Sequence, residues 1–290
     1  MFKTKGGINL EYSPKKFKEK IDGNNFKFKK KFGQNFIVDS NIINKIVHNS
    51  NIDDDTLVIE IGPGAGSLTY FLAQIASNVV CYEIDKEVER ILEDNLKEFS
   101  NVNIIYKDFL KADVKEDIKN YKYNKLYVIA NLPYYITTPI ITKIIEDNID
   151  VDKMVFMVQK EVGDRFKASV NSKDYNSLTI YLNYYFKVKK LMDVSRNVFM
   201  PVPNVDSIVV EFTKNVDKLD VYNEDLFFKL VRDSFKQKRK TLKNNLKSYN
   251  LEVINKVLNK NGYNLSSRAE QIPINVFVEI SNELFMCKNN

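Results

Sequence analysis

The order of residues predicts an α/β protein with a mostly parallel sheet, helices on both faces, an antiparallel edge and a small all-α C-terminal domain. Three observations carry that expectation. Between residues 56 and 159, β-rich runs alternate with helix-period segments, as parallel strands joined by crossovers require. Two further β-like runs then follow each other too closely for such a crossover. Beyond residue 220 only helical periodicity remains.

Residues 1–31 are charged and show little periodicity, so they read as a basic N-terminal arm. Phe36, Ile37, Ile42, Ile43, Ile46 and Val47 recur at helical spacing and predict a helix from about 36. TLVIEI (56–61) predicts a strand, a glycine-rich turn follows, and 67–77 predicts a helix. The alternation continues with a strand at 78–84, a helix at 85–98 and strands at 101–108 and 125–131. A helix around 137–147, a strand at 152–159 and helices at 160–168 and 176–186 complete it. KVKKLMDVS (187–195) and VDSIVVEFT (205–213) predict the antiparallel edge pair. Helices are expected at 224–236, 239–248, 251–261 and 275–286. The domains expected are therefore the arm, a sheet domain over 32–215 and a helical domain over 220–290.

Composition narrows the chemistry. The 290 residues carry a net charge of +6, unevenly spread. Ten lysines against Glu11, Glu19 and Asp22 give residues 1–31 a charge of +7, and residues 229–247 carry another +7. The rest of the chain is left at −8. Two basic patches on an acidic body form an electrostatic footprint for a polyanion such as nucleic acid. A lysine-biased composition alone would make the body basic too. Lys236, Lys238, Arg239, Lys240 and Lys243 are the candidate RNA contacts. The single histidine, His48, serves no nucleophile motif. Cys81 and Cys287 lie far apart and form no ligand spacing, so no metal site is expected. No apolar run reaches the length of a membrane span and no apolar signal segment follows the first lysines. Two distant cysteines suggest no disulfide framework, so a reducing, cytoplasmic setting is expected.

VIEIGPGAGSLT (58–69) joins a strand to a helix at the strand's carboxyl end, where open parallel sheets bind ligands. A dinucleotide fingerprint starting at Gly62 and Gly64 needs glycine at 67, but Ser67 stands there. The third glycine comes early, at Gly66, giving E-x-G-x-G-x-G from Glu60. That form resembles the cofactor loop of S-adenosylmethionine methyltransferases. Glu83 ends the next strand, where a carboxylate can accept both ribose hydroxyls. Asp108 ends the third, suited to an adenine amino group. The bland alternatives are a tight turn and two surface acids, but glycines, Glu and Asp at successive strand ends favour an adenosine-containing cofactor.

The fourth strand ends at Asn131, followed by Leu132, Pro133 and Tyr134. Asn-Leu-Pro-Tyr resembles the motif of amino-group methyltransferases. An adenine N6 is a poor nucleophile because its lone pair is delocalised. The Asn131 side-chain oxygen and the Pro133 carbonyl can each accept one of its N–H bonds. Tyr134 offers a face for an extruded base, worth about 1–3 kcal/mol.

At greater length the chain resembles the small-subunit ribosomal RNA adenine N6,N6-dimethyltransferases. The likeness runs from about 26 to 285 through KKFGQNFIVD (30–39), NLPYYITTPI (131–140), QKEVGDRF (159–166), VFMPVPNVDS (198–207), SFKQKRKTLKNNL (234–246) and RAEQIPINVFVEISN (268–282). It implies a Rossmann-like class I methyltransferase fold and S-adenosyl-L-methionine as cofactor. Asn35 and Ile37 are then expected beside Gly62, Gly64, Glu83, Asp108 and Asn131 at the cofactor, and Phe199 opposite Tyr134 at the base. The implied substrate is a pair of adjacent adenosines in a 3′-terminal hairpin of 16S rRNA, each methylated twice during small-subunit (30S) biogenesis. The implied partner is the immature small subunit, and the protein is expected to act as a monomer without metal or membrane. Ala65 and Gly163 depart from the usual residues at their positions, and neither removes a proposed hydrogen-bonding group. Two other readings remain open here. One is an assembly factor with secondary catalysis; the other is a large-subunit rRNA adenine methyltransferase of the macrolide-resistance type.

Overall fold

A computed structural model describes residues 35–133, 136–217 and 219–289. The N-terminal arm, Tyr134 and Tyr135 lie outside the described residues. Contacts divide the chain into two units. The first comprises the described residues up to Lys160 together with Lys190–Phe212, and the second Glu161–Lys189 together with Thr213 onward.

The first unit opens with a two-residue strand, β1 (Phe36–Ile37), where a helix was expected. Helix α1 starts only at Ser40 and runs to Ser50. Asp39 stops it from starting earlier, because its carboxylate caps the helix by accepting from the N–H groups of Asn41 and Ile42. The succession is then β2 (Thr56–Ile61), α2 (Ser67–Ala73), β3 (Asn78–Tyr82), α3 (Glu89–Leu96), β4 (Val102–Ile105), α4 (Val114–Ile118) and β5 (Lys125–Asn131). It continues with α5 (Thr137–Glu146) and β6 (Lys153–Gln159). The five-residue α4 was not anticipated, since one turn carries no periodicity to detect. Every side chain of β2 is buried, which is the pattern of a central parallel strand covered on both faces.

After α6 (Lys160–Phe166) and α7 (Ser177–Tyr185) come β7 (Phe186–Val194), β8 (Phe199–Met200) and β9 (Ser207–Lys214). The main sheet has the order β4-β3-β2-β5-β6-β9-β7, so the two late runs are neighbours at one edge, as expected. β2 lies between β3 and β5 in parallel register, and β5 is also parallel to β6. β8 leaves this sheet to pair antiparallel with β1, setting Phe36 opposite Met200 and Ile37 opposite Phe199.

The second unit is helical: α8 (Glu224–Phe235), α9 (Leu242–Asn245), α10 (Leu251–Lys260) and α11 (Ile274–Asn289) join α6 and α7. The boundary expected near 215–222 is therefore incomplete, because residues 161–189 also belong here. Tyr175, Ile180 and Tyr184 share one core with Phe227, Phe228, Ile254 and Phe277. The helix expected at 239–248 shrinks to α9. The N–H groups of Leu242 and Lys243 bond to the carbonyls of Ser267 and Leu265, at 2.8 and 3.0 Å, instead of continuing a helix from residue 239.

Candidate active site

A cavity of about 290 Å³ opens at the carboxyl ends of β2, β3 and β5, close to the lower size of small-molecule sites. Gly62, Gly64, Glu83, Asp108, Asn131 and Pro133 all line it, as does Asn35. Residues from five stretches of chain are thus gathered in one place, four of them following parallel strands that end at the same edge.

The glycine loop shows why its residues are glycines. Gly64 has φ +58°, and a β-carbon there would lie 2.4 Å from Cε1 of Phe36, so both the left-handed backbone and the aromatic ring exclude a side chain. Gly62 has φ +71°, and a β-carbon there meets nothing within 4 Å, so the backbone is open to close approach by a ligand. Glu83 is buried at 5% exposure. Its Oε2 accepts the Gly64 N–H at 3.1 Å and its Oε1 accepts the Asp85 N–H at 2.8 Å. The carboxylate, with about four acceptor positions, keeps capacity for a further donor. Burial raises the pKa of Glu83, and backbone N–H groups of Asp85, Gly64 and Ile84 oppose that shift. The carboxylate expected for ribose hydroxyls thus also ties the glycine loop to the turn after β3.

Asp108 is half-buried, and its Oδ1 accepts the Leu110 N–H at 3.0 Å. Asn131 donates through Nδ2 to the Asn35 carbonyl at 2.8 Å, which leaves its Oδ1 as the accepting end of the amide. The Pro133 carbonyl accepts the Ile136 N–H at 3.2 Å and retains a second lone pair. These groups fit an adenosine-bearing ligand: buried acceptors at the strand ends, an open glycine backbone, and apolar Ile84 and Leu110 left 51% and 37% exposed on the cavity lining. Those two apolar residues were missed from sequence. A lone Ile or Leu after a strand carries no signal until the cavity is seen.

Two expected residues lie elsewhere. Ile37 and Phe199 are each 3% exposed, share a core cluster with Val58 and Leu72, and do not line the cavity. Side chains alternate along a strand, so placing Phe36 toward the glycine loop turns Ile37 away from it. Phe199 follows Ile37, its pairing partner. Phe36 is therefore the cavity residue of β1, and the Phe199 ring is buried in the core cluster.

The five basic candidates of the helical unit are all exposed. Among the described residues, none of the five forms an ion pair. Elsewhere lysines are matched with acids, as in Lys153–Glu211 at 3.3 Å and Lys229–Asp233 at 3.2 Å. Lys238 donates to a neutral carbonyl, that of Lys173, and so stays uncompensated.

The family model described as ribosomal RNA adenine dimethylase matches residues 25–285. The chain belongs to that family. Relatives of this dimethylase include the ribosomal RNA small subunit methyltransferase A of Staphylococcus aureus strain RF122, 44% identical over 280 residues, covering 93% of this chain and 94% of the relative. A crystal structure of a dimethyladenosine transferase from Plasmodium falciparum superposes with a TM-score of 0.69 at 27% identity, covering 83% of this chain and 94% of that one. The 23S rRNA methyltransferase ErmE shares the fold at a TM-score of 0.70 and 23% identity, covering 87% of this chain and all of that one. No described helix of the dimethylase is long and apolar enough to cross a membrane.

Proposed function

We propose that this chain transfers methyl groups from S-adenosyl-L-methionine to N6 of two adjacent adenosines in the 3′-terminal hairpin of 16S rRNA, on small subunits still being assembled. The observation that carries the reading is the juxtaposition of an oriented amide, Asn131, with the glycine loop and Glu83 around one cavity. The 44% identity to a small-subunit enzyme supports that substrate over large-subunit RNA.

When bound, the cofactor supplies a sulfonium methyl that is already electrophilic, so the protein's task is positioning. Glu83 and Asp108 offer acceptors to ribose hydroxyls and an adenine amine. Asn131 Oδ1 and the free lone pair of the Pro133 carbonyl accept the two N–H bonds of the target N6, which holds the amine and turns its lone pair outward. The proton lost after transfer needs no histidine, since the cationic product amine is acidic. Tyr134 is proposed to stack on the extruded base. Lys236, Lys238, Arg239, Lys240 and Lys243 are proposed to meet RNA phosphates, which need cations not already matched with carboxylates.

The test is transfer of labelled methyl groups to purified, undermethylated small subunits, followed by mass-spectrometric mapping of dimethyladenosine. Label confined to small-subunit RNA is expected. Binding without incorporation would instead favour an assembly factor, and label on large-subunit RNA would favour the macrolide-resistance type.

A further inference from the structure

The hydrogen bond from Asn131 Nδ2 to the carbonyl of Asn35, at 2.8 Å, joins residues 96 positions apart. We propose that Asn35 is a positioning residue whose main-chain carbonyl selects which end of the Asn131 amide faces the substrate. The inference rests on the methyl-transfer reading. A primary amide can turn over, exchanging its acceptor for its donor at nearly the same shape. Turned over, it would present N–H groups to a target that is itself an N–H donor. With the Asn35 carbonyl behind it, turning over costs a hydrogen bond and sets two oxygens against each other.

That carbonyl is itself held in place. The Phe36 ring lies close against Gly64, the Val38 N–H donates to the Val198 carbonyl at 2.9 Å, and Phe36 pairs with Met200. Phe36 also lines the cavity, so the segment that orients the amide touches the space where the cofactor is expected. The arrangement gives a reason for an amide at this strand end. A carboxylate is the stronger acceptor, but it has no proton to give to Asn35.

Asn131→Asp separates the two roles. Were acceptance from N6 the whole task, this variant would work at neutral pH with an ordinary pH profile. If the Asn35 contact matters, the ionised carboxyl faces a carbonyl and loses its position, and kcat falls about 100-fold at neutral pH. The neutral carboxyl regains an O–H for Asn35 while keeping an oxygen for N6, so kcat recovers on acidification relative to wild type. The charged side chains lining the cavity are Glu83 from the end of β3 and Lys107 and Asp108 from the end of β4, with the Tyr82 phenol beside them. Among the described residues, β1 and α5 add no charge to the lining. The two carboxylates favour the neutral form of the introduced acid and Lys107 opposes them.

The measurement is kcat against pH for both proteins, with cofactor affinity and melting temperature followed in parallel. Near-wild-type turnover with a parallel pH profile would overturn the proposal. So would a loss that acid does not restore in a variant that still folds and binds cofactor. A second readout needs no activity: in asparagine-labelled wild-type protein, the Asn131 side-chain amide protons should exchange slowly. Fast exchange overturns the proposal, whereas slow exchange in a protein that transfers no methyl sinks only the functional reading.

Discussion

Asn131 and Glu60 show how single positions divide between chemistry and stability. Asn131→Ala removes the accepting oxygen and leaves the glycine loop and Glu83 intact. Turnover is expected to fall by about 10²–10³ with cofactor affinity nearly unchanged, and equilibrium binding beside single-turnover rates checks this. Loss of cofactor affinity as the main effect would assign the residue a different role. Glu60, in β2, does not line the cavity and is 2% exposed. Burial lifts its carboxyl pKa from 4.5 to about 8, and the charge of Glu83 reinforces the shift. Cys81 Sγ lies 3.9 Å from Glu60 Oε2. The native state thus keeps a proton that the unfolded chain releases, so this contribution to stability is complete below 4.5 and is lost as pH rises toward 8. Glu60→Gln cannot ionise. Its melting temperature should gain on wild type progressively between pH 5 and 8, and parallel melting curves across that range would contradict the assignment.

Elements differ in how far their own residues specify them. β2 and β5 appear with the bounds read from sequence, because runs of β-branched residues between turn signals have one local solution. Two apolar residues before a helix look like its first turn, and only pairing with β8 makes Phe36 and Ile37 a strand. The family resemblance implies Ile37 at the cavity, but the strand's alternation turns Ile37 into the core and presents Phe36 instead. The segment after α8 shows the opposite case: it has helical composition, but the N–H groups of Leu242 and Lys243 bond to residues 267 and 265. Arg239 and Lys240 are exposed and form no ion pair among the described residues, so reversing both to Glu should weaken small-subunit binding and flatten its dependence on salt. Each lost phosphate contact is expected to lower the slope by about 0.7–0.9. Titration at several salt concentrations checks this, and an unchanged slope would reassign the segment to a merely solvated face.

The described residues fold as two units, each of which is discontinuous in sequence. Residues 161–189 contribute Tyr175, Ile180 and Tyr184 to the core of the helical unit. A chain ending at residue 215 keeps these side chains and loses Phe227, Phe228 and Phe277 that cover them. Such a truncation is expected to bind a hydrophobic dye and melt without a sharp transition. A cooperative melt without dye binding would show that the first 215 residues stand alone. Parallel-sheet alternation, the strand ends bearing Gly62, Glu83, Asp108 and Asn131, and the basic run at 236–243 were legible from residue order, because each depends on neighbours within a few positions. The strand that Phe36 joins, the core that receives Phe199, the partner of Asn131 and the unit that claims α7 were settled only in three dimensions. Each of those depends on contacts between residues distant in the chain, and local periodicity carries no information about which distant surface a residue will meet.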